Sequence, residues 1–252
     1  MMGEAKPKEG GVAAFFDLDG TLVPGPSLEW RFFRELRKNH RIPFINYLRW
    51  TSESLRLLPR GILAVQHENK HYLAGVCRDL IFRHMGSIAF FEEGIARVVW
   101  HTQQGHSIFL VSGTLEALAQ MAATALECEL EARGVQLRPR IFATDLKEMR
   151  GRWTGEIDGQ ALYGRSKAQL VKAIAAQAKM DLRLSYAYGN SLLDRHFLCA
   201  VGHGHAVNPR KQLAALANQK NWTVWHWHQE KKIISAQNSF ASQEIHPSEG
   251  PA

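Results

Sequence analysis

At 252 residues, 45% of them apolar, the chain can fill a sizeable core, either as one large domain or as a domain carrying an insertion. Its 31 Lys and Arg against 24 Asp and Glu give a formal charge of +7, which favours anionic partners: phosphorylated metabolites, acidic lipid surfaces or nucleic acid. No stretch approaches the roughly 18 uncharged apolar residues a spanning helix needs, and the polar opening MMGEAKPKEGG lacks the apolar core of a leader peptide, so a soluble cytoplasmic chain is expected.

The first element is the apolar run from Ala13, which stops abruptly at Asp17-Leu18-Asp19-Gly20-Thr21. An apolar run closed by turn residues reads as a buried strand of a parallel sheet, and the carboxyl ends of such strands are where open α/β sheets place ligands. The interval from Pro24 to about Gly105 is rich in helix formers and arginine and poor in strands. It reads as an inserted helical cap, residues 24–87, followed by a helix over 88–104 that returns to the core. Residues 31–60 hold a basic surface of Arg31, Arg34, Arg37, Lys38, Arg41, Arg49, Arg56 and Arg60 against Glu35 and Glu53. Trp30, Phe32, Phe33, Phe44, Tyr47 and Trp50 are interleaved with it, and the plain expectation is that these aromatics pack the cap's own core while the arginines face water.

Further strands are expected at His106–Gly113, from Arg140 (RIFATDL), from Leu184 (LSYAYGN), from His205 (HAVNP) and from Trp222 (WTVWHW), with helices over 114–133, 165–179 and 209–220. That alternation predicts an α/β fold, a parallel sheet covered by helices on both faces, built from residues 11–23 and 88–228. In RGRWTGEIDGQALYG, β-prone residues flank Asp158-Gly159, a two-residue hairpin signal that predicts a small antiparallel flap. Residues 1–10 and 230–252 are polar and aperiodic, and disorder is expected there. Cys77, Cys128 and Cys199 lack zinc-ligand spacing and read as buried thiols. His203 and His205 read as loop residues beside the catalytic face, and His226 and His228, alternating with Trp225 and Trp227, as one face of an edge strand.

Taken alone, Asp17-x-Asp19 after a strand is equally a capping loop or a simple metal-binding turn. Three further signals follow in order: Ser112-Gly113-Thr114, Lys167 in GRSKAQLV, and Gly189-Asn190 with Asp194 four residues on. Together they resemble the four motifs of the haloacid dehalogenase (HAD) superfamily of phosphohydrolases, over residues 12–227, and in detail its phosphoserine-phosphatase-like subfamily IB. The resemblance implies a Rossmann-like sheet with an inserted helical cap, and a magnesium-dependent phosphatase acting through an aspartyl-phosphate.

The chemistry suits the residue types. A phosphomonoester needs an in-line nucleophile, charge neutralisation on the equatorial oxygens and a proton for the departing alkoxide. Asp17 would be the nucleophile, and Asp19 would protonate the leaving oxygen and then deprotonate water. Gly20, Thr21, Ser112 and Gly113 would hold the phosphoryl group, helped by a helix start after Ser112, and Lys167 would offset charge. Alone, Ser112 would be an ordinary N-cap and Lys167 solvated surface. An aspartate at the second position separates the pattern from P-type ATPases, which carry Thr there, and from haloacid dehalogenases proper.

Two departures from the family pattern stand out. Asn190 replaces the usual Asp of the metal motif, so Mg2+ is expected on Asp17, the Asp19 carbonyl and Asn190, with Asp194 acting through water, at weakened affinity; DRHFL replaces the usual D-x-P-x-L. The glutamate by which phosphoserine phosphatases recognise an amino group falls at Pro26, with Glu29 the nearest acid. A small phosphorylated metabolite or a lysophospholipid-like monoester is therefore expected ahead of phosphoserine. The alternatives are a catalytically weak binding or regulatory protein, motivated by Asn190, and nucleic-acid binding, which only charge suggests and which is not expected. An acyltransferase role finds no support.

Overall fold

In the computed structural model, which describes residues 11–228, β1 (Ala13–Phe16) is buried at all four positions, as a central strand covered on both sides must be. It lies fourth in a seven-stranded sheet of order β4-β3-β2-β1-β5-β6-β7. The other strands are β2 (Ser107–Leu115), β3 (Arg140–Met149), β4 (Arg152–Asp158), β5 (Tyr186–Gly189), β6 (His203–Val207) and β7 (Thr223–Trp225). Every neighbouring pair is parallel except β3 with β4. Phe15 stands opposite Phe109 on one side and Ala187 on the other, so β1 is the strand from which the chain winds outward in both directions. The crevice at such a reversal is where this architecture binds ligands.

Side-chain alternation along β1 feeds two cores. Ala14 and Phe16 point toward α5 (Glu92–Gln103) and α6 (Glu116–Glu131), whereas Ala13 and Phe15 point toward α7 (Arg165–Ala178), α8 (Arg195–Leu198) and α9 (Lys211–Lys220). The predicted coverage of both faces is thus found. Between β1 and α5 the chain forms α1 (Leu28–Lys38), α2 (Phe44–Leu57), α3 (Ile62–Glu68) and α4 (Leu80–His84), and adds no strand to the sheet. Leu28, Phe32 and Leu36 of α1 and Ile81 of α4 join the same apolar core as α5 and α6. The segment is also stitched to the β3–β4 hairpin: Gly75 N–H donates to the Trp153 carbonyl (2.7 Å), and Trp153 N–H to that of Val76 (3.0 Å).

Several local expectations need correction. The antiparallel flap exists, but its turn is Arg150-Gly151, where both residues take positive φ (54° and 72°) as a two-residue hairpin turn requires; Asp158 ends β4 instead. Ser112 is not a helix cap, because β2 continues irregularly to Leu115 and α6 starts at Glu116. The cysteines are unpaired as expected but not buried: Cys128 and Cys199 are exposed and Cys77 half-buried, Cys128 lying off the buried stripe of α6. His203 and His205 belong to β6, and β7 is an edge strand that ends at Trp225, before His226. Of the aromatics expected to pack a cap core, Phe32 is buried and Phe33 and Tyr47 partly so, but Trp30, Phe44 and Trp50 are exposed. The terminal segments expected to be disordered lie outside the described residues.

Candidate active site

Asp17 is the first residue after β1, and its N–H still bonds the Tyr188 carbonyl of β5 (3.0 Å), so the nucleophile candidate is fixed to the sheet. A tight turn follows. Gly20 N–H donates to the Val23 carbonyl (2.7 Å), and the N–H groups of Thr21 and Val23 both donate to that of Leu18 (3.1 and 2.9 Å). Gly20 sits at φ +79°, and a Cβ there would lie 1.9 Å from Asn190 Nδ2, so only glycine lets the first and last motifs approach. The turn aims Asp19 at the helical segment, where its Oδ1 accepts the N–H of Leu28 (2.8 Å), the first residue of α1.

Four motifs far apart in sequence meet here. Lys167, in the first turn of α7, donates from Nζ to Asp17 Oδ1 (2.7 Å) and to Asp194 Oδ1 (2.9 Å). Asp194 uses its other oxygen to accept the N–H and hydroxyl of Ser191 (3.1 and 2.9 Å). Asp17 Oδ2 accepts the Thr21 hydroxyl (3.0 Å). All three charged groups are buried, with two carboxylates around one ammonium. Burial pushes Asp17 up to about 6, against the pull of Lys167. For Lys167 burial alone would lower the pKa, but the Asp17 and Asp194 carboxylates outweigh it and the group is raised. Asp19 is pushed up to about 7, chiefly by burial and against its bond from Leu28 N–H.

These residues form the floor of a cavity of about 1150 Å³, together with Ser112, Gly113, Thr114 and Asn190. Gly113 passes the Leu162 carbonyl so closely that a Cβ would sit 3.0 Å from it. Ser112 Oγ accepts the Thr114 N–H (3.2 Å), and the buried Thr114 hydroxyl has no partner among the described residues. A buried, unsatisfied donor on a cavity wall suits an anionic ligand. Gly20 and Thr21, by contrast, spend their N–H groups inside the turn and do not line the cavity, so they shape the loop and offer no backbone donor to a ligand.

The upper wall comes from the helical segment: Trp30, Phe33, Tyr47, Trp50, Leu63 and Tyr72. It also carries Glu29, noted in the sequence as the nearest acid, with partners that the sequence did not announce. Glu29 accepts Lys70 Nζ (2.5 Å) and the Tyr72 hydroxyl (2.7 Å), with Lys70 only 1% exposed. A lone Lys in HENKHY gives no sequence signal for such a role. His67 stacks on Tyr163 (4.6 Å), and burial lowers it to about 4, so it is neutral at pH 7.

The donors present fit a small hard cation. Asp17 keeps unshared lone pairs, the Asp19 carbonyl lies in the same turn, and no hydrogen bond among the described residues engages the Asn190 amide. Oxygen ligands of this kind suit magnesium. Asp194 has both oxygens engaged, by Lys167 and by Ser191. No group of three His, Cys, Asp or Glu side chains among the described residues is arranged to hold a metal.

Residues 14–198 match the family described as haloacid dehalogenase-like hydrolase. The chain belongs to that family. Among relatives of this HAD hydrolase, phosphoserine phosphatase SerB1 of Mycobacterium tuberculosis is 27% identical over 229 residues, covering 84% of this chain and 70% of the relative. An inhibition of morphological differentiation protein of Streptomyces azureus is 27% identical over 233 residues, covering 88% and 80%. Two solved structures share the fold: a Bordetella pertussis Tohama I protein of unknown function (TM-score 0.63, 24% identity, 85% of this chain and 98% of that one), and a substrate-bound phosphoserine phosphatase (0.60, 18%, 86% and 94%). No helix of this hydrolase among the described residues is long and apolar enough to cross a membrane.

Proposed function

We propose that this HAD hydrolase is a magnesium-dependent phosphatase of small phosphomonoesters, with Asp17 as nucleophile and Asp19 as general acid and base. The observation that carries the reading is the different setting of the two aspartates. Asp17 is held between Lys167 and Thr21 with an oxygen on the cavity floor, whereas Asp19 is held by a helix N–H and raised to about 7, near the pH at which an acid–base group works best.

In the first step an Asp17 oxygen bonds to phosphorus while the bond to the ester oxygen breaks, and Asp19 gives that oxygen its proton. In the second, water bonds to phosphorus, Asp19 takes the water proton, and the Asp17–phosphorus bond breaks to release phosphate. Lys167 offsets the charge that Asp17 and the phosphoryl group bring together, and the Ser112 hydroxyl donates to a phosphoryl oxygen. Magnesium, held by Asp17, the Asp19 carbonyl and Asn190 with Asp194 behind them, would supply positive charge at the phosphoryl oxygens. Residues 24–87 act as a cap over the site and keep bulk water from the intermediate.

The SerB1 relative makes phosphoserine a substrate to test. The apolar wall and the internally neutralised Glu29 favour instead a monoester without an amino group, such as a lysophospholipid-like phosphate or another phosphorylated metabolite. Unpaired cysteines suit a reducing compartment such as the cytoplasm.

Phosphate release across phosphoserine, sugar phosphates, glycerol phosphate and lysophosphatidate, with and without magnesium, tests the reading. Magnesium-dependent release is expected, and Asp17→Asn should lower it by about a thousandfold or more with the fold intact. Release that survives in Asp17→Asn would remove the nucleophile assignment. A folded protein inert on every substrate would transfer the site to a binding or regulatory role, with Asn190 as the first residue to suspect.

A further inference from the structure

Helix α2 has two apolar sides, and the fold uses one. Its inner side carries the buried Asn46 and Leu57, and the Asn46 amide anchors it by donating to the carbonyls of Tyr72 (3.1 Å) and Ala74 (2.7 Å). On the opposite side Phe44, Leu48, Thr51 and Leu55 recur at i, i+4, i+7 and i+11, which is one continuous stripe of a helix. Phe44 is 76% exposed and Leu55 69%, and the stripe extends past the helix end through Leu58 to Ile62, 65% exposed at the start of α3. An apolar strip of this length is more than a soluble surface ordinarily leaves open.

Positive charge runs along one flank of the strip: Arg49 and Arg56, seven residues apart, lie about a quarter-turn round the helix from it, with Arg41 before and Arg60 after, all exposed. Arg56 and Arg60 pair with Glu53 and Glu68, but no ion pair among the described residues engages Arg41 or Arg49. Apolar side chains flanked by arginines on a helix lying flat on the molecule are the pattern of an interfacial element, with the apolar groups entering the acyl boundary and the arginines meeting anionic headgroups. A second copy of the chain fits this face poorly, since a two-fold contact would bring together two net-positive surfaces, each with Arg41, Arg49, Arg56 and Arg60 against Glu53 and Glu68.

We propose that the outer face of α2 and the start of α3 docks this protein on an anionic lipid surface. The inner sides of the same two helices supply Tyr47, Trp50 and Leu63 to the cavity wall, so docking would hold that wall at the membrane interface. The proposal stands on the exposed face and does not depend on the phosphatase reading.

The test is cosedimentation of the full-length protein with vesicles of phosphatidylcholine containing phosphatidylglycerol, beside vesicles of phosphatidylcholine alone. Binding to the mixed vesicles is expected, weakening as salt rises. Both a Phe44→Glu/Leu48→Glu/Leu55→Glu variant and an Arg49→Gln/Arg56→Gln variant should lose about tenfold or more in affinity, with unchanged circular dichroism. Absence of binding to mixed vesicles would overturn the proposal, as would equal binding to neutral ones. A wild-type dimer on gel filtration that the apolar-stripe variant converts to monomer would assign the face to a second copy instead.

Discussion

Lys167 keeps two buried carboxylates from facing each other uncompensated, and that single contact sets the electrostatics of the site. Removing one partner of a buried ion pair leaves charge stranded and costs roughly 3 to 5 kcal/mol. In Lys167→Met the two carboxylates lose their shared counter-charge, so Asp17, already pushed to about 6 by burial, should rise further and take up a proton. A carboxylate whose folded pKa lies above its unfolded value binds more protons in the folded state, so its burden on stability lightens as pH falls through the folded pKa. The variant is expected to melt well below wild type at pH 8 and to close part of that gap at pH 5, while losing about a hundredfold or more of its phosphate release. A gap that stays constant with pH would mean that Asp17 and Asp194 do not interact through Lys167.

At the scale of elements, β5 and β6 build an array that no linear motif announces. Two-residue alternation puts Tyr186 and Tyr188 on one face of β5, and the register sets them opposite His203 and His205, with ring centroids 4.5 and 4.6 Å apart. Helix α5 closes over them: His101 Nε2 meets the Tyr188 hydroxyl and its Nδ1 meets His106 Nδ1, each at 2.8 Å. The histidine spacing was visible in the sequence, but the strand register that turns it into stacking was not. Burial lowers His101 to about 3 and His205 to about 4. Because the unfolded chain takes up these protons near pH 6.5 and the folded one does not, stability should fall as pH drops from about 6.5 toward 4, by up to roughly 1.4 kcal/mol per pH unit for each histidine. Asp17 and Asp19, raised above their ordinary range, work in the opposite sense over that window, so the histidine contribution appears as a difference between variants. Urea unfolding of His101→Gln against wild type should show a shallower loss of stability between pH 6.5 and 4; identical slopes would place the His101 proton elsewhere.

For the whole molecule, the parallel sheet and its two helical layers were legible because the central strands β1 and β2 hold apolar runs and helical patterns separate most of the strands. Three of the four motifs were legible by position, Asp17 and Gly189-Asn190 at strand ends and Lys167 in the first turn of a helix, whereas Ser112 lies inside β2 and was legible only from its place in the series. What escaped depends on contacts between distant segments, such as Lys70 against Glu29, or on backbone dihedrals, such as the Arg150-Gly151 turn. The hairpin that this turn creates is also the strap between the helical segment and the sheet. Trp153, 3% exposed on β4, packs edge-on against Phe32 of α1 at 6.2 Å, and its backbone exchanges hydrogen bonds with Gly75 and Val76. Trp153→Ala would empty that junction at a cost of roughly 3 to 5 kcal/mol. If the helical segment is a layer that can open apart from the sheet, the loss should be local, with amide exchange accelerating over residues 72–77 and 140–158 while β1 and β5 stay protected. Phosphate release should fall with it, because α1 is both the element loosened at Phe32 and the element whose first N–H holds Asp19. Uniform acceleration across every strand would instead mean that the helices and the sheet open as one cooperative unit, leaving no separate cap motion to gate the site.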